Sequence, residues 1–182
     1  MICTTLNKIR AAGPCTDGWK KLLRHLGKTC ADDEPLPLSV ILDSNGLDDC
    51  IWTLRCVEGH DREIRLFAVR CARRVQPLMT DPRSIAALNV AERYANGEAT
   101  DEELAAARDA AWAAAGAAAG GAEGAAAGVA AGAAAGVAAW DAAWAAARAA
   151  ARAAAGVAAW DAAGDAARAE QAADLRQMLD SN

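Results

Sequence analysis

From Leu104 to Arg168 every fourth residue of this chain is distinctive, and the three between are nearly always small. The series runs Leu104, Arg108, Trp112, Gly116, Gly120, Gly124, Gly128, Gly132, Gly136, Trp140, Trp144, Arg148, Arg152, Gly156, Trp160, Gly164, Arg168. The octapeptide Gly-Val-Ala-Ala-Trp-Asp-Ala-Ala occurs at 136–143 and again at 156–163, so this is an internal repeat. On a helix each four-residue step turns through about 400°, so the stripe drifts by about 40° per step. Periods above 3.6 residues lean right-handed. Small residues four apart let two helix backbones approach closely, but at a crossing angle near −40° that diverges after a few turns. One unbroken partner seam along the whole tract is therefore not expected. The seven glycines between 116 and 136 also cost about 1 kcal/mol each relative to alanine, roughly 7 kcal/mol together. A helix break is expected near Gly120-Gly121, with disorder of 113–139 as the alternative, because that stretch buries almost nothing large.

Residues 1–100 have a different texture and read as a compact head of short helices. Leu6, Ile9 and Arg10 lead to the stop Gly13-Pro14. Asp17 is placed to cap a second helix in which Trp19, Leu22, Leu23 and Leu26 form one apolar face and Gly27 ends the run. Pro35 and Pro37 break the chain, and Leu38–Leu42 is ambiguous between strand and short helix. After the turn Ser44-Asn45-Gly46, Asp48 and Asp49 open a helix carrying Ile51, Trp52 and Leu54. Asp61 reads as the N-cap of the clearest helix, whose stripe is Ile64, Phe67, Ala68, Cys71, Val75 and Leu78. Arg65, Arg70, Arg73 and Arg74 flank that stripe, and Pro77 ends or bends the helix. Pro82 starts another helix running to Gly97. Thr100 and Glu103 then form a capping box that starts a long helix. The expectation is an all-α chain: a helical head at 1–100 and an Ala/Gly-rich helical region at 101–182, as one long helix or as helical hairpins.

Alanine supplies most of the 54% of residues that are apolar, and it buries little area. A fully buried Trp removes ~150–250 Å², worth roughly 4–6 kcal/mol, so the core is expected to rest on Trp, Leu, Ile and Val. The net charge of −5 is spread evenly, with 14 basic and 16 acidic side chains in 1–103 and 5 and 8 in 104–182. Neither half is a basic footprint for general nucleic-acid binding. From Ala110 to Trp140 the only charge is Glu123, but alanine and glycine are weakly lipophilic, and no membrane span is expected. The six cysteines show no C-x-x-C spacing, and the first residues have no basic and apolar leader pattern. Free thiols in a reducing cytoplasm are the expectation.

No motif for catalysis is present. His25 and His60 belong to no nucleophile or zinc pattern, and the Gly ladder lacks the Lys-Ser/Thr of a phosphate loop. Asp32-Asp33-Glu34 and Asp48-Asp49 read as solvated charges. No enzyme activity, cofactor or metal is expected. The suggestive constellation is Trp140, Trp144, Arg148 and Arg152, with Trp160 one repeat further on. Two Arg one turn apart repel by a few tenths of a kcal/mol, and Trp and Arg are the residue types enriched at binding hot spots. The competing reading places the Trp in a bundle core with the Arg snorkelling at its rim.

Three segments carry a family resemblance: Asp49-Cys50-Ile51-Trp52-Thr53-Leu54, Arg65-Leu66-Phe67-Ala68-Val69-Arg70-Cys71-Ala72-Arg73, and Ala91-Glu92-Arg93-Tyr94-Ala95-Asn96-Gly97-Glu98-Ala99-Thr100. With the alanine-rich region after them, they resemble all-α, alanine-rich immunity proteins (Imm5-like) of bacterial and phage genomes. The resemblance covers about half of the chain and describes a scaffold, so it transfers no site residues. It implies a non-enzymatic protein that neutralises a toxin or host-defence component by direct binding, as an immunity protein or a phage-encoded anti-CRISPR does. Two other readings stand beside it. One is an oligomerisation module, such as a homodimer, with the Gly ladder as its seam. The other is a sponge for a small anionic ligand.

Overall fold

The computed structural model describes residues 1–117, 128, 130 and 157–181, and among them the fold is all-α. Chain contacts divide the molecule into two units, Met1–His60 with Ala172–Asn182, and Asp61–Gln171. The boundary expected at residue 100 thus falls inside the second unit.

In the first unit, β1 (Cys3–Thr4) pairs antiparallel with β2 (Leu36–Pro37), Cys3 opposite Pro37 and Thr4 opposite Leu36. Buried Thr4 donates from Oγ1 to the carbonyl of Cys56 at 2.7 Å, which satisfies a hydroxyl that burial would otherwise penalise. Helix α1 (Leu6–Ala11) is capped by Thr5 and buries Leu6 and Ile9. Helix α2 (Thr16–Leu26) is capped by Cys15, not Asp17: the Cys15 Sγ accepts from the Gly18 N–H at 3.3 Å, and Asp17 sits in the first turn. Gly18 packs closely, since a Cβ there would lie 2.6 Å from an Asp49 carboxylate oxygen and 3.0 Å from the Cys15 sulfur, so both side chains would have to shift. The ambiguous segment resolves as helix, α3 (Leu38–Asn45), which follows β2 directly and buries Leu38, Ile41 and Leu42. Gly46, at φ +96° and ψ −176°, turns the chain into α4 (Leu47–Thr53), a conformation essentially reserved for glycine. A short 3-10 turn (Leu54–Cys56) follows.

The second unit opens with α5 (Asp61–Arg73), which starts at Asp61 itself, one residue earlier than an N-cap there implies. Of the expected stripe, Phe67, Ala68 and Cys71 are buried and Ile64 is half-buried, with Val69 and Ala72 buried beside them. Val75, buried, and Leu78, half-buried, lie beyond the helix end. The helix stops four residues before Pro77, and a 3-10 turn (Gln76–Leu78) carries that proline. Helix α6 (Pro82–Ala95) is capped by Asp81, whose carboxylate accepts from the Arg83 N–H. Helix α7 (Asp101–Ala117) begins at the expected capping box: the Thr100 N–H donates to Glu103 Oε2 at 2.9 Å, and the Glu103 N–H donates to Thr100 Oγ1 at 3.2 Å. Donation from the Thr100 N–H, ahead of the nearby Arg93, holds the Glu103 carboxyl below the usual range. We expect Thr100→Ala to cost about 1 kcal/mol, read by urea denaturation, with no change in fold. A loss within error would mean that water replaces the cap.

Small residues close the packing of this unit. Val69 of α5, Ala87 and Ala91 of α6 and Ala111 of α7 are buried together, with Leu104 and Ala107 against them. That shared core is why the chain does not divide at residue 100. The described tryptophans do not fill a core: Trp19 and Trp52 are half-buried and Trp112 is exposed. Phe67, Leu, Ile, Val and alanine take that role. Helix α8 (Val157–Asp180) lies in the second unit up to Gln171, and its last residues belong to the first, where Leu175, Met178 and Leu179 are buried. No helix among the described residues is long and apolar enough to cross a membrane. The expected break at Gly120-Gly121 lies outside the described residues; within 113–139, positions 113–117 are helix.

Candidate binding surface

The tetrad and the packing rhythm diverge along α7. The helix turns toward its neighbours at 104, 107, 111 and 114, a spacing of three and four that follows the helical period. The tetrad steps by four and so walks off that face. Leu104 packs against the alanine core, Arg108 is 42% exposed in its side chain, and Trp112 is 52% exposed. Two steps of about 40° have carried the stripe from the core to the solvent. Trp112 and Met1 are the large apolar residues left exposed among the described residues, and Met1 is the chain start. Beside Trp112, Arg108 pairs with Asp109 at 3.0 Å. This exposed Trp, one turn from an Arg, repeats the Trp–Arg chemistry read at 140–152.

The residues singled out from the sequence are placed as follows. Trp140, Trp144, Arg148 and Arg152 lie outside the described residues, and of Trp160 the structure describes the backbone, within α8. Trp112 was legible as a member of the tetrad, but its exposure follows from where α7 meets α5 and α6. The arginines of α5 are largely structural. Arg65 lies over the Tyr94 ring, 4.7 Å from its centroid. The Tyr94 hydroxyl donates to Asp101 at 2.6 Å, which raises its pKa. The ring accounts for the one Arg65 nitrogen that is buried without a hydrogen bond. Arg73 bonds Gln76, Asn89 and Glu92 at 2.7–2.9 Å, and Arg74 pairs with Glu170. Arg70 faces solvent.

Of the acidic residues read as solvated charges, Asp32, Glu34 and Asp49 have bonded neighbours, and Asp33 and Asp48 are exposed. Lys28 bridges Asp32 at 2.7 Å and Glu34 at 2.6 Å, raising its own pKa and lowering that of Asp32. Asn45 donates to Asp49 at 2.7 Å. Among the described residues no group of three or more His, Cys, Asp or Glu is placed to hold a metal ion.

All six cysteines are free. Cys50, Cys56 and Cys71 are buried, and burial pushes the Cys50 thiol up to about 12 and raises that of Cys56. A buried neutral thiol is inert. We expect a thiol reagent to find Cys15 and Cys30 quickly in the native protein, and all six thiols after denaturation without prior reduction. Recovering two or fewer from the denatured chain would establish disulfides.

Comparison of the chain with protein-family models, with curated proteins and with solved structures finds no match.

Proposed function

We propose that this chain is a binding protein without chemistry of its own, acting in the cytoplasm on a protein partner through an exposed Trp–Arg surface. The observation that carries the reading is Trp112. Trp112 is 52% exposed on a helix whose packed side is already filled by alanine, and Trp is among the residue types enriched at binding hot spots. In sequence the same Trp–Arg pairing recurs at Trp140, Trp144, Arg148 and Arg152, with Trp160 one repeat on, and this reading assigns them the same role. The sequence resemblance to Imm5-like immunity proteins supplies the setting: neutralisation of a toxin or of a host-defence component, as by an anti-CRISPR, in conflict between bacteria and phages. The test is capture from bacterial lysate on the immobilised full chain, run beside the Trp112→Ala protein. One dominant protein, retained stoichiometrically by the first and lost by the second, is the expected result. Equal retention by both would take the surface away from Trp112, and light scattering that shows a stable oligomer with no captured protein would favour a self-assembly module.

A further inference from the structure

Helix α2 carries a second, chemically different surface. At 100° per residue, Lys20, Lys21, Arg24 and His25 fall on one face and Trp19, Leu22, Leu23 and Leu26 on the other. Burial follows this division: Leu22 is buried, Trp19, Leu23 and Leu26 are half-buried, and the four basic positions are all exposed. Lys21 reaches the Asn45 carbonyl at 3.3 Å. Lys20, Arg24 and His25 make no hydrogen bond or ion pair among the described residues. Carboxylates are in surplus in the chain, 24 acidic against 19 basic side chains, and Lys28, just past the helix, is bridged by two of them.

We infer that the face of α2 formed by Lys20, Lys21 and Arg24 docks a short acidic segment of a protein partner, one bearing two or more neighbouring carboxylates. The inference rests on the protein-binding reading and adds the chemistry of what is bound. Charge and size select this occupant. Lys20 and Arg24 stand one turn apart, with Cβ atoms about 5–6 Å from each other, so one short acidic segment can reach both. Nucleic-acid binding draws on a run of phosphate contacts along an extended basic surface. This face offers three cations and is bordered by Asp17 at one end and by the Asp32 and Glu34 carboxylates around Lys28 at the other. A long, stiff run of phosphates would meet those acids, while a short segment of carboxylates need not. A membrane surface fits worse, because the apolar face of α2 is turned into its own unit and is not free to insert.

The test uses the full chain and a fluorescein-labelled oligoglutamate as probe, read by anisotropy, with a short DNA duplex and phosphatidylserine vesicles in parallel. The oligoglutamate should bind and weaken steeply from about 50 to about 200 mM salt. Lys20→Gln with Arg24→Gln should weaken it by about tenfold. The charge-preserving pair Lys20→Arg with Arg24→Lys should bind nearly as the parent does, and Arg70→Gln, an exposed cation of the other unit, should change nothing. No binding of the probe, an unaffected double Gln variant, or an equal loss with Arg70→Gln overturns the inference. So does tighter binding of the duplex or the vesicles through the same two residues. Capture of a partner that depends on Trp112 but not on Lys20 and Arg24 would remove this face and leave the protein-binding reading standing. Failure of capture would remove that reading itself.

Discussion

Leu175→Ala is expected to lower the stability of the protein by about 2–5 kcal/mol, well above the cost of losing the Thr100 cap. The side chain is fully buried, as is Leu179 one turn on, and both lie in the segment Ala172–Asn182 that belongs with residues 1–60. A leucine deleted from such a site loses its transfer energy and leaves a cavity that the neighbouring helices refill incompletely. The polar contact of the same segment cannot compensate. Arg176 pairs with Asp43, but the two side chains are 45% and 58% exposed, and pairs at that exposure contribute about 0–1 kcal/mol. Arg176→Ala should therefore cost far less than Leu175→Ala. Cys50 gives an independent readout, because Arg176 lies close enough to act on its thiol. Loosening the C-terminal segment should let a thiol reagent reach Cys50 in the native state. A loss under about 1 kcal/mol, with Cys50 still protected, would show that residues 1–60 hold their core without the C-terminal helix end.

That return of the chain end to the first sixty residues is what sequence reading missed most. The features it identified were local. The Thr100–Glu103 capping box needs four residues, and both of its hydrogen bonds are present. The stripe on α5 needs one helix, and its buried positions fall where the period puts them. Cys15 does not stand out as a cap in the sequence because a thiol is a weak acceptor beside the nearby Asp17. Leu38–Leu42 is not decided alone, since five residues, four of them apolar, suit either element until the Leu36–Pro37 strand fixes where the helix begins. The division of the chain depends on contacts far apart in sequence, such as Arg74 with Glu170 and Arg176 with Asp43, and periodicity carries no information about those. The tryptophans misled for a related reason. Their area marks them as core in a composition argument, but whether an individual Trp is buried is set by which face of its helix meets a neighbour.

Trp112→Ala separates the two uses of that residue, and the larger effect is expected on binding. With 52% of the residue exposed, covering it in a complex removes roughly 80–130 Å² from water, worth roughly 2–3 kcal/mol. Affinity for the captured partner should fall by roughly 30- to 150-fold, measured by titration calorimetry. Stability should move little, because a surface substitution is usually worth about 0.5 kcal/mol either way and alanine is the better helix former by a few tenths. The buried side of α7 is already filled by Ala111 and Ala114, which the substitution leaves in place. The melting temperature of Trp112→Ala should therefore match the parent within a few degrees while binding is lost. Were the protein instead to lose about 3–5 kcal/mol, as for a large aromatic removed from a core, with affinity retained, Trp112 would be scaffold. The tetrad would then be a packing device and not the recognition surface.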